Sequence, residues 1–170
     1  MSRGFVKEDD QEEAPFIPPR SALPAGVTNY VTPLGYDLLM QERKELETSI
    51  ADLNLDEGKE RRHTLAVLNG KLNLLNERIL TSRILKPDEQ SKNEVRFGAI
   101  VVFKYMTGSQ SGTKKEFQIV GVDEADIKKN KIAFVAPLAK ALTGKKIGDI
   151  AEVFMAGAMQ QLEIVSFSYS

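Results

Sequence analysis

Leu65-Ala66-Val67-Leu68-Asn69-Gly70-Lys71-Leu72-Asn73-Leu74-Leu75-Asn76-Glu77-Arg78-Ile79 decides how this chain folds. Leu65, Leu68, Leu72, Leu75 and Ile79 follow steps of three and four residues, which set them on one face of an α-helix. Upstream, Tyr36, Leu39, Leu46, Ile50 and Leu53 keep the same steps, with Arg43 standing where a further apolar residue would fall. Stripes this narrow leave a lone helix marginal, so each arm must bury its stripe against the other. The pattern predicts a helical hairpin with arms over residues 33–55 and 60–85, folded about Leu55-Asp56-Glu57-Gly58-Lys59-Glu60.

Local signals set its ends. Thr32 before Pro33 fits an N-cap followed by proline at the first helical position, where a missing N–H does no harm. Gly58 can take the left-handed conformation that closes a helix, and Lys86-Pro87 stops the second arm. A first arm of about 23 residues at 1.5 Å each gives a rod roughly 33 Å long. Val67 and Leu74 lie beside the seam on the second arm, where they either widen it or meet another helix.

Around the hairpin the composition changes. Residues 1–29 hold the acidic run Glu8-Asp9-Asp10-Gln11-Glu12-Glu13, then Pro15, Pro18, Pro19 and Pro24, and read as a disordered or extended tail. The hairpin occupies 30–86, and the polar stretch 87–94 reads as a linker. From 95 to 170, runs rich in Val, Ile and Phe (95–106, 115–122, 131–135, 149–155 and 161–167) alternate with glycine or polar turns, which are strand signals. Pro137 through Gly144 has proline at a helix start and glycine past its end. The fold class is therefore α+β: a helical hairpin, then an antiparallel sheet with one short helix packed on it.

Composition excludes several function classes. Without cysteine there are no disulfides and no thiolate metal sites. No apolar run reaches membrane-span length and no signal peptide precedes the acidic stretch, so a soluble cytoplasmic protein is expected, without a membrane partner. A net charge of -1 offers no bulk field for duplex nucleic acid. The single histidine, His63, rules out a serine-histidine-acid set, and no glycine-rich phosphate loop follows a strand. Catalysis by the chain itself is not expected.

Two acidic clusters remain. Asp56, Glu57 and Glu60 lie at the hairpin turn, where carboxylates can share a divalent ion or simply form a solvated turn beside Lys59, Arg61 and Arg62. Asp123, Glu124 and Asp126 follow a strand, and local chemistry alone reads them as an acidic turn capping a short helix.

Three blocks resemble the GreA/GreB family of bacterial transcription elongation factors: Tyr30-Val31-Thr32-Pro33-Leu34-Gly35-Tyr36-Asp37-Leu38-Leu39; Phe97-Gly98-Ala99; and Ile119 to Asp126, continued by Ala136 to Lys145 and Gly148-Asp149. The likeness runs from about residue 29 to the C-terminus. It implies an N-terminal antiparallel coiled coil and an FKBP-like C-terminal domain. It also implies a partner, RNA polymerase, with the C-terminal domain docked at the rim of the secondary channel and the coiled coil inserted. Tip carboxylates in the family help hold Mg²⁺ and a water, so that the polymerase hydrolyses a backtracked transcript. By this likeness Asp123, Glu124, Asp126, Pro137 and Leu138 would belong to the docking surface. Asp56 with Glu60, or else Glu57 with Glu60, would be the metal pair, holding Mg²⁺ only together with the polymerase and near the nascent RNA 3′ end.

The tip departs from the family pattern of Asp, two residues, Glu-Asn and an aromatic, because neither asparagine nor aromatic is present. Alignment through Asn69-Gly70-Lys71-Leu72 also shortens each arm by about two turns, roughly 11 Å, where catalytic placement tolerates about 1 Å. The expectation is a monomeric channel-binding regulator of backtracked or paused complexes, with modulation or blocking of the channel preferred over stimulation of cleavage and both left open, and with no cofactor of its own. The alternative is an adaptor or coiled-coil protein that acts without the polymerase. A prolyl isomerase, suggested by the FKBP-like fold alone, ranks below both.

Overall fold

The computed structural model describes residues 12–170. After an extended segment come β1 (Asn29–Val31), α1 (Pro33–Ala51), α2 (Lys59–Thr81) and β2 (Ser82–Ile84). A 3-10 turn at Pro87–Glu89 leads into β3 (Ile100–Tyr105), β4 (Lys114–Val120), β5 (Lys131–Ala133), α3 (Pro137–Leu142), β6 (Ile150–Met155) and β7 (Ala158–Ser168). The five strands from β3 onward form one sheet in the order β5-β4-β3-β7-β6.

α1 starts where the sequence places it: Thr32 is the N-cap and its hydroxyl accepts from Gly35 N–H at 2.9 Å, with Pro33 in the first turn. The helix ends at Ala51, earlier than periodicity suggests. Beyond it, Arg61 Nη1 donates to the carbonyls of Leu53 and Leu55 at 3.3 and 3.1 Å, so a side chain from the second arm takes up loop carbonyls. Gly58 stands at the N-cap of α2 rather than behind α1. With 19 residues, α1 is about 28 Å long. Its apolar stripe is buried mainly at the base, where Leu39 and Leu75 pack with Val31, flanked by Tyr36, Leu46 and Ile79. Toward the tip Leu65, Leu68 and Leu72 are half-buried, because two helices alone cannot enclose their seam.

The second arm also stops early. Residues 82–84, expected in the helix, form β2 and pair in parallel with β1, Asn29 opposite Ser82 and Val31 opposite Ile84. Two local bonds favour the exit: Asn29 Nδ2 donates to Arg78 O at 3.0 Å, and Ser82 Oγ to Ile79 O at 2.7 Å, so side chains satisfy carbonyls the helix leaves open. β1 alternates as a strand should. Val31 enters the hairpin core, while Tyr30 packs on Phe97 and Phe134 of the sheet domain, at centroid distances of 6.0 and 5.9 Å.

The sheet is mixed, which corrects the expectation of an antiparallel one. β3, β4, β6 and β7 pair antiparallel, but β5 runs parallel to β4, with Gln118 opposite Lys131 and Val120 opposite Ala133. The intervening 3-10 turn is capped by Asp126, whose carboxylate accepts from Lys128 N–H at 3.0 Å. Val101, Phe103, Ile119, Leu142, Leu162 and Ile164 are fully buried between the sheet and α3.

Of the two forms open to the N-terminal segment, a disordered or an extended tail, its described part takes the extended one. Residues 12–24 are extended and lie along α2, because Ile17, Arg20 and Leu23 find partners on the hairpin or the joint. The acidic run from Glu8 to Gln11 lies outside the described residues.

Candidate functional site

At the far end of the hairpin Asp56 and Glu57 sit in the loop between the helices, and Glu60 in the first turn of α2; all three are exposed. Glu57, with 93% of its side chain exposed, faces Arg61 at 3.6 Å. The three carboxylates do not converge: among the described residues no three His, Asp or Glu side chains close on a metal-sized site. Within this chain alone the tip therefore does not fit a resident Mg²⁺. The arrangement presents separate solvated negative charges on a narrow end.

The second acidic cluster is placed quite differently. Asp123 keeps only 7% of its side chain exposed and lies between two guanidinium groups: Arg20 Nε donates to Oδ1 at 2.8 Å, and Arg78 Nε faces Oδ2 at 3.3 Å. Arg20 also grips Glu42 of α1 with both terminal nitrogens, at 2.8 and 3.0 Å. That hydrogen-bonded carboxylate, with Asp123 beside it, raises the Arg20 pKa above its ordinary value, against the opposing effect of burial. Glu124, with 3% of its side chain exposed, accepts from the Thr32 hydroxyl at 2.5 Å and from Lys131 Nζ at 2.9 Å. Asp126 is committed to capping its own turn, Pro137 is exposed, and Leu138 is half-buried against the core.

Two glycines let the halves approach. A Cβ at Gly35 would lie 2.6 Å from Glu124 Oε2, and one at Gly121 would lie 2.7 Å from the Tyr30 carbonyl oxygen. Asp123 and Glu124 thus join the prong to its base, with carboxylates that face inward.

Residues 90–169 match a family model described as transcription elongation factor, GreA/GreB, C-term. The transcription elongation factor GreA of Rickettsia bellii is 31% identical over 135 residues, which cover 75% of this chain and 82% of that protein. The chain belongs to the GreA/GreB family. GreA of Mesorhizobium japonicum is 36% identical over 100 residues, 59% of this chain and 62% of that protein, so the chain spans under two thirds of the length of the first relatives it matches. Among solved structures, GreA factor homolog 1 (Gfh1) of Thermus thermophilus aligns over 84% of this chain and 99% of its own at 20% identity, with a TM-score of 0.38.

In this GreA/GreB chain the joint also uses Arg20, Glu42, Arg78 and Lys131, to which helix and strand periodicity gives no role, and it gives the N-cap Thr32 and the glycines Gly35 and Gly121 a second one. One signal was available. Arg20 is the sole basic residue between Lys7 and Arg43, an isolated charge in a proline-rich segment that needs a partner.

Proposed function

We propose that this chain is a transcription elongation regulator that binds RNA polymerase, with the hairpin of residues 30–86 as a prong for the secondary channel and residues 95–170 as the docking base. The observation that carries the reading is a stiff helical pair, ion-paired to a globular base, that ends in exposed Asp56, Glu57 and Glu60. Docking would use the surface around exposed Pro137 and the half-buried Asp126 and Leu138, while Asp123 and Glu124 act through the angle of the joint. The chain acts as a monomer in the cytoplasm, and no helix among the described residues is long and apolar enough to cross a membrane.

In this reading the prong modulates or blocks the channel of backtracked and paused complexes, near the nascent RNA 3′ end. Any hydrolysis belongs to the polymerase. A Mg²⁺ held by Asp56 and Glu60 would need its remaining ligands from that enzyme. Stalled, backtracked complexes made with purified core polymerase test this directly. The expected result is binding, with pausing altered and little transcript cleavage. Strong cleavage lost in Asp56→Ala or Glu60→Ala overturns the modulator reading in favour of a cleavage factor. Absence of binding at moderate salt favours the adaptor.

A further inference from the structure

The segment N-terminal to β1 is held at intervals that match the helix beneath it. Glu12 pairs with Arg62, Ile17 fills the notch over Gly70, and the Ser21 carbonyl accepts from Arg78 Nη2 at 2.6 Å. From Arg62 to Gly70 and from Gly70 to Arg78, α2 rises about 12 Å each time at 1.5 Å per residue. Four or five residues of polyproline-like chain, at about 3.1 Å each, cover that distance. Pro15, Pro18 and Pro19 stiffen the run. Ile17, Pro19, Leu23 and Leu74 line a groove of about 680 Å³ between this segment and α2. Leu74, one of the two apolar residues beside the seam, thus faces this groove from the helix side.

Contacts at a pivot resist rocking poorly. Thr32–Glu124 and Tyr30–Gly121 both sit where the hairpin leaves the base. Arg20 acts further out: Glu42 lies nine residues beyond Pro33, about 14 Å along α1. One planar guanidinium spans from there to Asp123 in the sheet domain and uses three of its five N–H donors in a fixed fork. A flexible lysine cannot reproduce that bridge.

We propose that residues 12–21 form a clamp in which Arg20 is a positioning residue that fixes the angle between prong and base. The clamp is an intramolecular property of the free chain. Its consequence, setting where the acidic tip arrives, rests on the polymerase-binding reading above.

Because the chain has no cysteine, Asn54→Cys and Lys114→Cys provide a unique label pair, one on the tip loop and one on the sheet domain. Pulsed electron–electron resonance on the full chain should give one narrow distance distribution. Arg20→Ala should broaden it and add a second population, and Arg20→Lys should fall between. Far-UV circular dichroism and the melting of the helices should be retained, which separates loss of orientation from loss of fold. Glu42→Gln removes the charge and one of the two hydrogen-bond acceptors of the outer arm at a half-exposed site that tolerates substitution, and should broaden the distribution less than Arg20→Ala does. Distributions in Arg20→Ala and Glu42→Gln that superimpose on the parent overturn the clamp. The measurement needs no polymerase, so failure of the clamp and failure of polymerase binding are read separately.

Discussion

Asp56-Glu57 at the hairpin tip and Asp123-Glu124 after β4 are the same dipeptide in opposite surroundings. The first pair is exposed and has one loose partner, Arg61. The second is nearly enclosed: Asp123 accepts from Arg20 and is ion-paired to Arg78 without a hydrogen bond, and Glu124 accepts from Thr32 and Lys131. A charge taken from water must be matched by partners, so the buried dipeptide acts as architecture. A charge left in water costs nothing to keep and is free to meet something else, and the tip is where an outside partner can be met.

The largest expected effect tests that contrast directly. Asp123→Ala leaves the Arg78 guanidinium without its carboxylate, while Arg20 keeps Glu42, and should lower stability by about 3 kcal/mol, the lower end for a broken buried pair, whereas Asp56→Ala should stay within about 0.5 kcal/mol. Chemical denaturation followed by far-UV circular dichroism reads both. Equal costs would erase the distinction between the two turns.

Next come the glycines of the joint. Gly121→Ala places a methyl group 2.7 Å from the backbone carbonyl of Tyr30, which has no rotamer to move aside. Gly35→Ala meets the flexible end of Glu124 and displaces it from Thr32. Overpacking of this kind costs about 1–3 kcal/mol, and Gly121→Ala should be the worse of the two in the same denaturation assay. A cost for Gly35→Ala equal to that of Gly121→Ala would show that Glu124 is held as rigidly as backbone.

The hairpin was legible in the sequence because helical periodicity is a local property: the steps from Leu65 to Ile79 and the Thr32-Pro33 start need no knowledge of the rest of the chain. The ends were harder. Residues 82–84 have nothing non-helical in themselves, and they leave the helix because Asn29–Val31, some fifty residues away, offers a strand to pair with. The parallel β4–β5 pair was hidden for the same reason, since strand composition carries no direction. The joint was the least legible part. Its partners, Arg20, Glu42, Arg78 and Asp123, are scattered over a hundred positions, and only the fold brings them within 3.3 Å.

Gly70 gives a smaller effect whose sign is informative. Alanine in a helix interior is favoured over glycine by about 1 kcal/mol, but a Cβ at position 70 would overlap Ile17. Gly70→Ala should therefore gain little or lose stability in the parent, and should gain about 1 kcal/mol in an Ile17→Ala background. A double-mutant cycle measured by thermal melting isolates this coupling. The same gain in both backgrounds would mean that the segment over α2 does not press on the helix.

The smallest expected effect lies at the outer end of that segment. The Arg62 hydrogen bond, followed by its charge, lowers the Glu12 pKa below the ordinary carboxylate value. A group with a depressed folded value favours the attached state above its unfolded value and releases it as pH falls through the folded one. The Glu12–Arg62 contact should therefore hold at neutral pH and open only under acid. Because both side chains are well exposed, salt should weaken it at any pH. The Arg62 Nε–H resonance, followed by nuclear magnetic resonance across an acid titration, should move with a midpoint below that of an ordinary glutamate. In Glu12→Gln that step should vanish while the contact of Arg20 with Asp123 stays intact, since the buried end of the segment is held by geometry that this exposed pair does not supply. A loss of both contacts together would make the outer pair part of the joint and blur the line between solvated and buried charge on which the contrast between the two acidic turns depends.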